Sequence, residues 1–212
     1  MQSIAIIDYN MGNLHSVRRA VEHCAPDGTT VTISADPTVI QQADRIVFPG
    51  QGAARDCMRE LQNRELDDVV SEVIQNKPFL GICMGMQVLM EHSEENAGTD
   101  CMGVYSGKVR HFDHQANNTE ERLKIPQMGW NQIWQSQPHP LWKGIEDGAR
   151  FYFVHSYYVD PQDTRLVSGT TEYGVTYASA IAQDNVFAIQ AHPEKSARDG
   201  LQLLTNFMTW EP

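Results

Sequence analysis

Two side-chain types in this chain of 212 residues could carry nucleophilic chemistry: four cysteines and eight histidines. Cys24, Cys57, Cys83 and Cys101 lie far apart and form no C-x-x-C pair, which argues against a zinc site. In a reducing compartment they are free thiols. One of them stands in a distinctive setting. Gly81-Ile82-Cys83-Met84-Gly85 is the cysteine form of the nucleophile elbow, a sharp strand-to-helix turn. Glycine at minus two and plus two leaves room for the strained backbone of the central residue. A thiol at the start of a helix feels positive backbone dipole, which favours thiolate. The Met84 N–H at that turn could meet a developing oxyanion. The other three cysteines fall in helical or loop contexts without flanking glycines and read as small buried hydrophobes.

A thiol nucleophile needs a base, and the base needs a group to orient it. Ala191-His192-Pro193-Glu194 supplies both. The proline holds His192 extended, and residues two apart on an extended chain share a face. The Glu194 carboxylate can then take one imidazole nitrogen while the other faces the sulfur. His15, His23 and His92 fall on predicted helices and His139 between prolines in a loop. His111 and His114 straddle a strand end without a third metal ligand. His155 lies near the end of a strand, where it either lines a site or serves as a core histidine.

The elements that must position these groups alternate in the first half. Apolar runs at Ile4–Ile7, Val31–Ile33, Arg45–Phe48 and Pro78–Ile82 read as strands. Leu14, Val17, Ala20 and Val21 mark a helix, residues 53–76 a helix in two pieces, and Gly85–His92 another. Short apolar runs between helices imply parallel strands buried on both faces, with ligands beyond their carboxyl ends. The second half is β-rich, with strands over residues 103–112, 127–135, 150–159, 166–172, 175–182 and 186–190. A polar loop spans residues 113–122. A final helix over residues 196–210 has Ser196 as its cap and Leu201, Leu204, Phe207 and Met208 as its buried stripe. The expected fold is α/β: a single open, mostly parallel sheet flanked by helices, with a β-rich second half, forming one domain over residues 1–212.

Composition narrows the partners. The chain is 41% apolar and 20% charged, as ordinary globular domains are, with a formal net charge of −11. That acidity argues against nucleic acid and anionic membranes. The first residues lack the basic and apolar regions of a signal peptide, and no stretch approaches the ~20 apolar residues of a membrane span. The expected location is cytoplasmic.

Three motifs, Pro49-Gly50-Gln51-Gly52, Gly81-Ile82-Cys83-Met84-Gly85-Met86-Gln87 and His192-Pro193-Glu194, together resemble the class I glutamine amidotransferases across essentially the whole chain. Within that class the chain looks most like the glutaminase subunits of imidazole glycerol phosphate synthases, on Asp8-Tyr9-Asn10-Met11-Gly12-Asn13, Pro126-Gln127-Met128-Gly129-Trp130-Asn131, Tyr152-Phe153-Val154-His155-Ser156-Tyr157 and His192-Pro193-Glu194-Lys195-Ser196. The resemblance implies that Cys83, His192 and Glu194 form a catalytic triad that needs no metal or organic cofactor. It implies an oxyanion hole from Gly50, Gln51, Gly52 and Met84, and glutamine held by Gln87, Glu95, His155, Ser156 and Tyr157. It also implies a (β/α)8-barrel synthase subunit as heterodimer partner in histidine biosynthesis, contacted by Asn13, Met128, Trp130, Asn131, Tyr152 and Lys195. Two positions depart from the family pattern: Gln51 stands where valine is usual and Gln127 where histidine is usual. An amidotransferase of another pathway, a stand-alone γ-glutamyl peptidase and a catalytically silent binding module are the alternatives. The Met128-Gly129-Trp130-Asn131 segment discriminates among the pathways, and the intact triad argues against silence.

Overall fold

In the computed structural model, residues 2–113 and 123–212 are described. The predicted polar loop therefore lies outside the described residues, apart from Asp113. The strands are β1 (Ser3–Ile7), β2 (Thr30–Ser34), β3 (Arg45–Gly50), β4 (Phe79–Cys83), β5 (Met90–Ser93), β6 (Thr99–Asp100), β7 (Tyr105–His111), β8 (Gln127–Gln135), β9 (Ala149–His155), β10 (Tyr157–Pro161), β11 (Val167–Glu172), β12 (Thr176–Gln183) and β13 (Val186–Ile189). The helices are α1 (Leu14–Cys24), α2 (Pro37–Gln42), α3 (Ala54–Asn63), α4 (Leu66–Val73), α5 (Met84–Gln87) and α6 (Ala197–Thr209).

The sheet runs in the order β2-β1-β3-β4-β13-β12-β10-β7-β5-β6, and β11, β8 and β9 branch from it. From β2 to β13 every pairing is parallel. Of these, β1, β3, β4 and β13 are buried on both faces, whereas β2 is the half-exposed edge, and alternate residues enter two separate cores. Ala5, Ile7, Ile46 and Phe48 join the core beneath α3 and α4, while Ile4, Ile6, Val47, Leu80 and Ile82 join the one beneath α1 and α6. Burial on both faces removes the polar alternation of a half-exposed strand, so each reads in sequence as a continuous apolar run. Antiparallel pairing begins where β13 meets β12 and dominates the second half.

Several expectations differ from the structure: the strand expected over residues 150–159 is two, β9 and β10, separated at Ser156. The helix expected over residues 85–92 stops at Gln87, and β5 follows. Residues 86–90 are all buried, so their sequence carries no helical stripe to decide the matter. The carbonyls of Val88, Leu89 and Met90 instead take the N–H groups of Met102, Tyr105 and Gly103, a non-local pairing that replaces the next turn of helix. His92 consequently lies on a strand, paired with Asp100 at 3.0 Å. Helix α2 was not foreseen, although Asp36 caps it through Thr38 N–H and Pro37 opens it. In α6, Leu203 is fully buried where Leu201 had been expected, and Ser196 makes no side-chain capping bond.

The elbow is the tightest point of the fold. A Cβ on Gly85 would lie 1.8 Å from the Phe48 carbonyl oxygen, and one on Gly81 would lie 2.8 Å from the Gly85 oxygen and 2.9 Å from Ala188 Cβ. Only glycine lets α5 press onto β3 and β4. Gly85→Ala should destabilise the fold by about 3 kcal/mol or more, because the clash is with backbone that cannot move aside. Gly103→Ala, at φ +66° in open space, should cost only about 1–2 kcal/mol. Urea unfolding measures both, and equal small effects would contradict this packing account.

Candidate active site

Cys83 closes β4 and turns the chain into α5, with φ 55° and ψ −110°. A non-glycine residue in that region stores on the order of 1–3 kcal/mol of strain, which the surrounding packing must hold. Helix α5 has only four residues. Its macrodipole is correspondingly small, so the dipole expected from the sequence contributes little to the thiol.

The base arrives from the neighbouring strand. Strand β13 runs parallel to β4, with Ile189 beside Ile82, so the residues that follow β13 emerge next to the elbow. His192 is extended, at φ −102° and ψ 96°, and Pro193 starts a short 3-10 turn. Nδ1 of His192 and Oε1 of Glu194 are 2.8 Å apart, and both side chains are buried. Nε2 of His192 has no hydrogen-bond partner among the described residues. Cys83, on the same cavity wall, is the group most strongly coupled to the ring. Burial by itself disfavours the imidazolium. The charge and hydrogen bonding of Cys83, then of Glu194, outweigh burial and raise the His192 pKa to about 10. Ser196 fixes the turn: its hydroxyl donates to the His192 carbonyl at 2.6 Å and accepts from Tyr152 N–H at 2.9 Å. This explains why it does not cap α6.

The segment after β3 forms the opposite wall. Gly50 is in register with Cys83, and a Cβ there would meet the Tyr9 hydroxyl at 2.1 Å and Met84 Cβ at 2.7 Å. Gly52 has φ +91°. The Gln51 carbonyl accepts from the Cys57 thiol at 3.5 Å, and the Tyr9 hydroxyl lies 3.9 Å from that sulfur. Burial pushes Cys57 up to about 12 and Cys101 to about 11, and it also raises Cys24. These three cysteines are poor thiolates.

Gln51, Gly52, Cys83, Met84, Gln87, Glu95, His155, Ser156, Tyr157 and His192 surround one cavity of about 440 Å³, together with Pro126, Val154 and Lys195. Glu95 sits on its wall, with one carboxylate oxygen accepting from Ala54 N–H at 2.6 Å. It thereby caps α3, whose N-cap Ala53 offers no side-chain acceptor. Gln87 donates from Nε2 to the Tyr157 carbonyl at 3.0 Å and to Gln190 Oε1 at 2.9 Å. The group it can present to the cavity is its Oε1. His155 proves to be both wall and core. Burial lowers its pKa to about 4, and its Nδ1–H donates to the Tyr157 carbonyl at 2.8 Å. Its bare Nε2 cannot donate to Gln127, 3.1 Å away. The donor within its reach is the Tyr177 hydroxyl, 3.2 Å away.

Of the residues assigned to a partner, Lys195 borders this cavity and the others do not line it. Met128, Trp130 and Trp134 project from the exposed face of β8, with Met128 60% and Trp130 44% exposed. Trp130 meets Tyr152 edge-on, with ring centroids 6.2 Å apart, and Lys195 Nζ stands 5.9 Å from the Tyr152 ring centroid. Asn131 donates to the Glu172 carbonyl, and Asn13 caps α1 through Ser16 N–H. Exposure excludes a core role for Met128 and Trp130. His111 packs edge-on against Tyr157, and His114 lies outside the described residues. His139 caps a 3-10 turn through Leu141 N–H. No helix among the described residues is long and apolar enough to cross a membrane. The sequence reading missed Gln190, which is fully buried and donates to the Cys83 sulfur at 3.5 Å. Its place two residues before His192 was the available signal.

Comparison with known proteins agrees with this arrangement. A family model described as glutamine amidotransferase class-I matches residues 5–210. The chain is 56% identical to the imidazole glycerol phosphate synthase subunit HisH of Dechloromonas aromatica, covering 100% of this chain and 98% of that one. It is 54% identical to the same subunit of Thiobacillus denitrificans, covering 99% and 92%. Among solved structures, a glutamine amidotransferase superposes with a TM-score of 0.71 at 13% identity, covering 97% and 96%. PurLQS from Thermotoga maritima gives 0.69 at 16% identity, covering 98% and 97%. These two structures speak for the fold alone. With an elbow cysteine, a buried His–Glu pair and full-length relatives above half identity, the chain belongs to the class I glutamine amidotransferases, within the HisH subunits of imidazole glycerol phosphate synthase.

Proposed function

We propose that this chain, acting as one amidotransferase domain, hydrolyses glutamine to glutamate and ammonia and delivers the ammonia to a (β/α)8-barrel synthase subunit in histidine biosynthesis. The observation that carries this reading is the strained Cys83 on the wall of a cavity, beside a histidine oriented by a buried carboxylate.

The Cys83 thiolate attacks the side-chain amide carbon of glutamine. The oxyanion is held by N–H groups of Met84 and the Gly50-Gln51-Gly52 segment, each such donor being worth about 3 kcal/mol. His192, held as imidazolium by Glu194, gives its proton to the amide nitrogen as the C–N bond breaks, and ammonia leaves. Neutral His192 then takes a proton from water as it attacks the γ-glutamyl thioester. Glutamate departs and the thiolate–imidazolium pair is restored. Gln87 Oε1, Glu95 and the His155-Ser156-Tyr157 segment hold the substrate. No metal or organic cofactor takes part.

Ammonia is mostly protonated at neutral pH and must reach its acceptor before that happens. The exposed Met128, Trp130, Tyr152 and Lys195 surface, with Asn13 and Asn131, is the face offered to the synthase. Free thiols at all four cysteines suit the reducing cytoplasm where we place the complex.

Three outcomes are expected. The purified chain should release little glutamate alone and far more with the barrel synthase and its nucleotide substrate; equal rates would remove the partner assignment and favour a stand-alone peptidase. Cys83→Ala should lower glutaminase turnover by at least about 10⁴-fold while retaining partner binding in a pull-down or calorimetric titration; residual turnover near wild type would exclude Cys83 as nucleophile. Glu194→Gln removes a carboxylate that raises the His192 pKa, so the alkaline limb of the kcat/KM profile should move down from about 10. An unmoved limb would contradict that role. The same shift bears on stability. The folded value lies above the ~6.5 of an unfolded histidine, so the contribution is complete below that pH and is lost as pH rises through about 10.

A further inference from the structure

We propose that Gln190 is a further catalytic residue: its side-chain N–H donates to the Cys83 sulfur and stabilises the thiolate, in an orientation imposed by Gln87 and the Tyr157 carbonyl. The inference rests on the reading of Cys83 as the nucleophile.

Hydrogen-bonding logic fixes the orientation, since the two ends of a carboxamide are otherwise interchangeable. The Tyr157 carbonyl can only accept, so the group 3.0 Å from it is the Gln87 amide nitrogen. That nitrogen also approaches the Gln190 carboxamide at 2.9 Å, which must present oxygen there. The Gln190 nitrogen is left facing Cys83, 3.5 Å from the sulfur. Gln190 is fully buried, and its backbone N–H is bound to the Ser179 carbonyl. The donor is therefore held in place without water, where a hydrogen bond to a charged acceptor acts most strongly.

The sulfur needs such a donor. Helix α5 is too short to supply much dipole. Among the titratable groups that act on Cys83, His192 favours the thiolate, whereas Tyr9 and Cys57 lie close enough for unfavourable charge coupling if they ionise. On the cavity wall, Glu95 disfavours an added negative charge and Lys195 favours it. Gln190 is a neutral donor that acts at every pH. It holds the thiolate without competing for the His192 proton needed by the leaving ammonia.

Alkylation of the intact chain by iodoacetamide, followed across pH with the modified peptide located by mass spectrometry, tests this. The thiolate forms the S–C bond and iodide leaves, so the rate reports thiolate at Cys83. Gln190→Met keeps length and apolar volume but has no donor. Its apparent pKa for alkylation should rise by about 1–2 units, the weight of one hydrogen bond to a charged group. Gln190→Glu should raise it at least as much. Gln87→Leu keeps Gln190 but frees its orientation, and should give a smaller rise in the same direction; it decides the matter if the Gln190 variants do not fold. Wild-type profiles in the folded variants would overturn the role of Gln190 while leaving the nucleophile reading intact. A wild-type Cys83 that alkylates no faster at neutral pH than an ordinary thiol would instead overturn the nucleophile reading itself.

Discussion

The contact between α5 and the end of β3 governs this site. Gly85 lies so close to the Phe48 carbonyl that a single Cβ would penetrate it, and Gly81 is closed in by Gly85 and Ala188. Because the turn has no slack, Cys83 cannot relax out of its positive-φ conformation. The thiol is thus presented at the carboxyl edge of the parallel strands, where β3 and β13 deliver their own following segments to either side. The Gly50-Gln51-Gly52 segment and His192 are where they are because their strands flank β4 in the sheet. Packing stores the strain, and the topology supplies the neighbours.

Around that turn, the polar groups are tied together, with His192 Nε2 and Glu194 Oε2 left without a partner among the described residues. Glu194 takes one nitrogen of His192 and leaves the other directed at the sulfur's side of the cavity. Ser196 ties the His192 carbonyl to β9, so the base is braced by a strand from the antiparallel half. Tyr157 offers one carbonyl to both His155 and Gln87. Its position at the start of β10 therefore sets a histidine tautomer and a carboxamide orientation together. Buried networks of this kind are rigid because an unmade bond costs about 1–3 kcal/mol in the interior. Rigidity is what a strained nucleophile needs from its surroundings.

Much of this was legible in the sequence, for reasons tied to particular residues. The strands β1, β3, β4 and β13 read as apolar runs, past Ser3 and Arg45 at their starts, because both faces are buried. The elbow declares itself because its glycines are sterically compelled. His192 and Glu194 are two apart on an extended chain, so local geometry alone pairs them. What was not legible depends on distant partners. Residues 90–93 are strand and not helix because residues 99–109 pair with them. Ser196 leaves its helix for Tyr152, 44 residues away. Gln190 acquires its donor role from Gln87 and Cys83, more than 100 positions upstream. Helix α2 was within reach, since Asp36 and Pro37 form a recognisable start, but six residues give too little periodicity to weigh against a loop.

The central claim is that Cys83 carries the glutamyl group during turnover. Rapid acid quenching of the complex with glutamine, followed by intact-mass analysis and peptide mapping, tests it most directly. The account requires a fraction of the chain to gain the mass of one glutamyl group, located on Cys83 and discharged by mild base as a thioester is. Steady turnover with no such adduct at any quench time, or an adduct on any other cysteine, would contradict it.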